Sequence, residues 1–442
     1  MRSCLTIAQI MSFLPRFSDG KLLSDSKFRR LTITLLVLGN LLIIAFLIFW
    51  KSPHLGLGDD GIYIRAGDRL ANQGNLYEDS FRSGPLGAIF LFGLWKLFPA
   101  GIAWIVFQLI YVSSVAAVSL LLTKDRPIEL RLCVTLFAIS AAPMREHLHN
   151  HQITAFVIFL CLWPFFLERS KPLLILSGAA SCAVAIDLKP HLALIIIVAL
   201  SICNRKFVMS ILAASFLIFS HIIISIYAGR NISAEYVSFL FDLNSNNEWG
   251  ESVYLWPLFE RLNINQGFLH TLEYSSVVIV LSLILWRAFK KDTFHVLLLI
   301  SLLTYLLSYA HFYDLILLSI LVTIVAICNP SSQSVIFMGF AIMPGGILVP
   351  QNFIFWVLMF GAYLYLVNGF HSYKLAIALV PVVLFSIQLM NDFVFTSADH
   401  EIRFRTTVFV LFAINLFIDS KARSVFSSSL SALSSIGKKN FT

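Results

Sequence analysis

The stretch Leu31–Trp50, LTITLLVLGNLLIIAFLIFW, runs for twenty residues without one charged side chain. An α-helix of that length rises about 30 Å, the thickness of a bilayer's hydrocarbon core. Arg29 and Arg30 precede it and Lys51 follows it, so it reads as a first membrane span. The residues ahead of it hold no apolar run of the kind a cleavable signal peptide needs, and the span is expected to stay in place as a signal anchor.

The pattern recurs outward from there. Apolar runs lie near 100–122, 132–144, 153–167, 172–187, 190–203, 207–228, 274–286, 293–310, 314–328, 335–349, 353–370, 375–390 and 406–418. Over 442 residues the chain is 58% hydrophobic, 14% aromatic and only 13% charged, with mean hydropathy +0.83, whereas a soluble domain carries about 25% charged residues. The expected fold is therefore an all-α polytopic membrane protein of about 11–14 spans. Disorder, a secreted disulfide scaffold and a cytosolic enzyme are excluded. The short pairs 132–144/153–167 and 172–187/190–203 are expected to tilt or to re-enter. Cys4, Cys133, Cys161, Cys182, Cys203 and Cys328 show neither CxxC nor metal spacing, and there is no P-loop, GxGxxG or GxSxG.

The net charge of +8 invites a search for nucleic acid, but its distribution answers otherwise. With the N-terminus in the cytoplasm and the spans alternating, about two-thirds of the 32 Lys and Arg fall on inner segments, and most of the 24 Asp and Glu fall on outer ones. Lys/Arg bias orients a membrane chain. The expected organisation is a cytoplasmic segment 1–31, a membrane domain 32–418 with outer loops 51–99 and 229–273, and a Ser-rich cytoplasmic tail 419–442. Both termini then face the cytoplasm of a multi-pass protein, expected in a bacterial inner or plasma membrane. The run Leu86–Pro99 breaks the alternation if it crosses, so it is read as a juxtamembrane helix in the interface.

Ionisable groups near apolar segments are costly and default to functional candidates. Here they gather at the outer ends of the spans: Asp59 and Asp60; Arg145, His147, His149, His151 and Gln152; Asp187, Lys189 and His191; His311, Tyr313 and Asp314. In the first outer loop, Ile62, Tyr63, Ala66, Leu70 and Leu76–Tyr77 follow a helical face with Arg65, Asp68, Arg69 and Asn72 opposite, which predicts an amphipathic helix on the membrane surface. An acidic residue at its membrane end can serve as general base or metal ligand, or simply cap the helix. Pro190 breaks a helix beside Lys189, where an ammonium suits a phosphate; the alternative is a snorkelling lysine. Arg145 and the alternating histidines offer phosphate or sugar contacts. In loop 229–273, Trp249, Tyr254 and Trp256 offer aromatic platforms. His221 lies alone in a span and reads as a satisfied core histidine.

Four of these elements, in order, carry a resemblance. Asp59–Gly67 with Gly74 and Tyr77 is similar to the D-x-x-x-Y-x-x-A-G … G-x-x-Y signature of glycosyltransferase family 87. His151-Gln152 resembles that family's polar start of a helix. Ser177-Gly178-Ala179 with Ala185 through Lys189-Pro190 resembles its A-G and A-x-x-x-K-P pattern, and His311-Phe312-Tyr313-Asp314-Leu315 resembles its H-x-Y-D-L element. The chain departs from the family at Arg82-Ser83-Gly84-Pro85, where Tyr-Pro-Pro is usual, and in having Asp60 beside Asp59.

The resemblance implies a GT-C-like helical bundle whose first outer loop carries juxtamembrane helices. It implies an inverting hexosyltransferase, typified by mannosyltransferases, with a polyprenyl-phosphate-linked sugar as donor and a lipid or envelope glycan acceptor. Asp59 would be the catalytic base and Asp60 a second carboxylate, with Lys189 and Arg145 on the donor phosphate. Tyr63, His149, His151, Gln152, His191, His311, Tyr313 and Asp314 would meet sugar or acceptor. No cofactor is identified, though the second Asp leaves a divalent metal open, and no metal ligand set is identified. Nucleic acid is not an expected partner. The rival readings are an O-antigen ligase or polymerase, which would use a late outer loop, and a transporter or flippase, which would place charges at mid-membrane and show repeats.

Overall fold

The structure, a computed structural model, describes residues 26–49, 59–77, 81, 83–141, 144, 152–166, 172–245, 266–306 and 312–328, and all secondary structure among them is helical. In order the elements are α1 (Ser26–Phe49), α2 (Asp59–Ala71), α3 (Pro85–Leu97), α4 (Ala100–Leu122), α5 (Ile128–Ser140), α6 (Thr154–Phe166), α7 (Pro172–Leu188), α8 (Pro190–Asn204), α9 (Phe207–Ala228), α10 (Ile232–Ser245), α11 (Gln266–Phe289), α12 (Thr293–Leu306), a 3-10 turn (Phe312–Leu315) and α13 (Ile316–Cys328). The apolar runs from 335 to 418, the segment before 26, the tail and the Trp249–Trp256 stretch lie outside the described residues.

Burial divides the helices into central and peripheral ones. Helices α5, α12 and α13 bury unbroken stretches, 133–140, 294–304 and 316–325, and so lie at the centre. Helices α9 and α11 expose Phe207, Ile211, Ile218, Ile226, Tyr274, Val278 and Phe289, which only lipid can solvate comfortably. Stretches long and apolar enough to cross a bilayer occur at Ile102–Leu122, Phe207–Ala228 and Thr271–Phe289, with shorter apolar helices around them. The protein is an all-α polytopic membrane protein.

Most hydroxyls in these helices are satisfied locally. Ser119, Thr135, Ser140, Ser301, Thr304 and Thr323 each donate to the carbonyl four residues back, the usual answer to a polar group without water. Asn40 instead reaches across, donating to the Leu36 and Leu132 carbonyls at 2.8 and 3.1 Å and tying α1 to α5. Such groups structure the bundle and leave few polar atoms over for chemistry.

Two features position the site. Pro190 denies the preceding residue the helical conformation; Lys189 takes φ −144° and ψ 80°, so α7 stops, α8 starts, and one residue stands between them. Close packing of α7 on its neighbours α6 and α9 rests on Gly178, where a Cβ would come 2.9 Å from that of Pro164.

The amphipathic helix is present, with two corrections. Its apolar face, Tyr63, Ala66 and Leu70, is buried in protein rather than laid on lipid, because α2 packs on α3. The approach is so close that a Cβ at Gly67 would sit 2.9 Å from the Ala88 carbonyl oxygen and inside Phe92, which is the physical content of the A-G pair. The helix also ends at Ala71, short of Leu76–Tyr77: Gln73 takes φ 56° and the Gly74 amide turns back to the Arg69 carbonyl at 2.7 Å. The run Leu86–Pro99, expected in the interface, forms helix α3, packed against α2, α4 and α7.

Candidate functional site

The helix break places Lys189 among side chains from two other elements. Its Nζ donates to Thr154 Oγ1 at 2.6 Å and to Asp314 Oδ1 at 2.6 Å, and Thr154 donates to the same carboxylate oxygen at 2.7 Å. Thr154 starts α6 and Asp314 lies in the 3-10 turn ahead of α13. The ammonium keeps 13% of its side-chain surface exposed while Asp314 keeps 5%. A charge pair this enclosed holds only where geometry is good and further hydrogen bonds support it, and the Thr154 hydroxyl supplies that support.

Two residues earlier, Asp187 makes a second and different cluster. Its Oδ2 accepts the Gly87 amide at 3.1 Å, its Oδ1 accepts His221 Nε2 at 2.6 Å, and its backbone carbonyl accepts the Gly84 amide at 2.6 Å. A carboxylate only accepts, so Nε2 carries the hydrogen in that contact; His221 Nδ1 meets Ser233 Oγ of α10 at 3.0 Å. Gly84 has φ −78° and ψ 172°, open to any residue, and is needed for space: a Cβ there would fall on the Asp187 carboxylate. The stretch that departs from the family's usual Tyr-Pro-Pro is thus the stretch that docks on Asp187.

The first loop reaches both clusters. Tyr63 and Ser83 share a hydrogen bond of 2.8 Å, and Ser83 donates to the Leu188 carbonyl at 2.7 Å, immediately before Lys189. Farther along, the Tyr77 ring stacks on Phe81, Tyr236 and Phe239 with centroids 6.0, 5.5 and 5.4 Å away, which joins the loop to α10. Burial, with the Asp187 charge nearby, pushes the Tyr77 and Tyr236 hydroxyls well above the ordinary tyrosine range. Arg230 closes this side by donating to the Gly74 carbonyl and pairing with Glu235 at 3.4 Å.

Of the residues expected from sequence, Lys189 and Asp314 meet directly, Tyr63 is tied to the residue before Lys189, Gln152 is buried two residues before Thr154, and His191 is half-buried in the first turn of α8. Asp59 and Asp60 are the first two residues of α2, one turn before Tyr63; their side chains lie outside the described residues, as does that of Tyr313, and Arg145, His149, His151 and His311 lie wholly outside them. Among the described residues no three His, Cys, Asp or Glu side chains gather as a metal site would require. Sequence reasoning passed over Thr154, Ser83, Tyr236 and the part played by His221. A lone histidine in an otherwise apolar helix, and a hydroxyl just after His151-Gln152, were the available signals.

The family model described as glycosyltransferase family 87 matches residues 84–310, just over half of the chain. The match takes in Asp187, Lys189 and His221; it begins after Asp59 and Tyr77 and ends before Asp314. No curated protein and no solved structure matches.

Proposed function

The chain belongs to glycosyltransferase family 87 and is a membrane glycosyltransferase, and from that premise we propose that it transfers a hexose, mannose first among them, from a polyprenyl-phosphate donor to a lipid or envelope-glycan acceptor. The site faces outward, with both termini in the cytoplasm, as the Lys/Arg distribution favours. The observation that carries the reading is the Lys189–Thr154–Asp314 cluster, an enclosed ammonium at a helix break inside the matched segment. It is connected through Leu188, Ser83 and Tyr63 to the helix that begins with Asp59.

In this reading Asp59 accepts the proton of the acceptor hydroxyl as its oxygen attacks the anomeric carbon. The bond from that carbon to the phosphate oxygen breaks, configuration inverts, and the polyprenyl phosphate departs with its electron pair. Lys189 hydrogen-bonds the phosphate as its negative charge grows, the kind of stabilisation worth most where water is scarce. Lys189 and Asp314 cancel in charge, so the anion draws its remaining positive charge from Arg145. Asp314 and Thr154 orient the ammonium. Gln152, His191, His149, His151, His311 and Tyr313 serve sugar and acceptor hydroxyls. The apolar flanks of the bundle accommodate the polyprenyl chain.

The test is a vesicle assay with a panel of radiolabelled polyprenyl-phosphate sugars, comparing the natural protein with Asp59→Asn. Label should move from one donor, and the substitution should abolish transfer while the purified protein keeps its helical content. Turnover by Asp59→Asn near the natural rate overturns the base assignment; no transfer from any polyprenyl-phosphate donor overturns the donor class.

A further inference from the structure

Asp187 is an outer-end carboxylate in a glycosyltransferase, and the simple expectation is that it touches substrate. Its surroundings say otherwise. The residue is 3% exposed, both carboxylate oxygens are engaged by protein donors, and its own carbonyl is engaged as well. Every one of these contacts ends on something that must be held: Gly84 and Gly87 at the start of α3, and His221 on α9. The His221 ring is in turn oriented by Ser233 of α10.

We propose that Asp187, oriented by His221, is the positioning residue that fixes the helix beginning at Asp59 against Lys189. This rests on the reading given under Proposed function. The connection is continuous. Asp187 seats residues 84–87; Ser83, the next residue back, bonds the Leu188 carbonyl; Tyr63 bonds Ser83; and Asp59 lies one helical turn before Tyr63, on the same side of α2. On the other side, Lys189 follows Asp187 by two residues. Base and phosphate cation are therefore both referred to one turn of backbone, 187–189. The Gly84 amide meets the Asp187 carbonyl, a backbone-to-backbone bond that no rotamer change can release, and the lack of a side chain on Gly84 lets that backbone come in. A group that holds reacting partners in register acts on turnover rather than on binding: displacement by about 1 Å costs roughly a hundredfold in rate.

The test uses full-length protein in lipid nanodiscs and three variants: Asp187→Asn, His221→Gln, and Gly84→Ala, which intrudes on the carboxylate without altering charge. Each should lower kcat by about a hundredfold while changing the donor KM by less than about threefold. The acid limb of the pH–rate profile, which belongs to the base, should stay where it is in all three. Combining Asp187→Asn with Tyr63→Phe should cost no more than the worse single change, since both loosen one tether. Natural kcat in the variants overturns the proposal, because the tether would then be irrelevant to turnover. Loss of the acid limb in Asp187→Asn overturns it too, because Asp187 would then itself titrate in the reaction. A readout independent of turnover separates this from the functional reading: amide exchange at residues 83–87 should quicken about tenfold in each variant. Unchanged exchange removes the tether. Quickened exchange in a protein that transfers from no polyprenyl-phosphate donor leaves the tether standing and removes the donor class instead.

Discussion

Two buried carboxylate contacts flank Leu188, one to an ammonium and one to a histidine, and they are built on opposite plans. At Lys189 the partners are three side chains from three elements, Lys189, Thr154 and Asp314, with no backbone group in the contacts described above. At Asp187 the carboxylate accepts the Gly87 amide and His221, and the backbone carbonyl of the same residue accepts the Gly84 amide. The difference is mechanical. A network of side chains can open by rotamer changes to admit an anion and close again behind it. The bond from the Gly84 amide to the Asp187 carbonyl joins backbone to backbone and can change only if the loop itself moves. Two ionisable groups of opposite sign, two residues apart, thus sit in differently built contacts, which is the division of labour proposed above between a group that meets the ligand and one that holds the frame.

Replacing each pair by apolar residues sets the two plans against each other and gives the largest effects. Lys189→Met with Asp314→Leu should leave thermal stability within about 1 kcal/mol, because apolar replacement of a whole buried pair is often neutral. Transfer should fall by about a hundredfold or more as the departing phosphate loses its donor. Asp187→Leu with His221→Leu should cost about 2–3 kcal/mol of stability, because the Gly87 amide is left buried without its acceptor. Differential scanning in detergent and a donor titration read both quantities. Equal stability losses in the two doubles would erase the distinction.

A smaller effect sharpens it. Thr154→Val keeps shape and removes the hydroxyl that accepts from Lys189 and donates to Asp314. The donor KM should rise by about fivefold, the equivalent of one hydrogen bond, with amide exchange at residues 83–87 unaltered. Coupling of Thr154 to that exchange would mean that the two clusters are one.

The helices were largely legible and the contacts were not, for a physical reason. Apolar runs bounded by charged residues and proline are local, so α4, α7, α8 and α9 fall within a few residues of the runs read at 100–122, 172–187, 190–203 and 207–228. Pro190 likewise announced the break that sets Lys189 between two helices. Pairing is not local: Lys189 lies 125 positions from Asp314, and His221 lies 34 from Asp187. A period of 3.6 says which face of a helix is apolar but is silent on which helix meets it. That is why the buried face of α2 was assigned to lipid, and why His221 looked like a residue with nothing to do. Composition also hid Thr154, since a single hydroxyl at a helix start is what a cap looks like.

The smallest expected effect concerns the shared periphery of the tether. Tyr77 and Tyr236 stack on each other near Asp187, and burial and its charge hold both hydroxyls protonated beyond the ordinary tyrosine range. In the unfolded chain they ionise near pH 10. Below that pH both states carry the proton and their linkage contributes no slope to stability. Above it the unfolded chain has lost protons that the folded chain retains, so unfolding becomes easier as pH rises. The fall should begin close to pH 10 and should be shallower in Tyr236→Phe, which keeps the ring stack and removes one of the two groups. Lys189 and Asp314 play no part in raising either hydroxyl, so Lys189→Met with Asp314→Leu should reproduce the natural alkaline slope. A change of slope in that double variant would mean that the charge at Lys189 reaches the tether, and that the frame and the ligand site are electrically one unit.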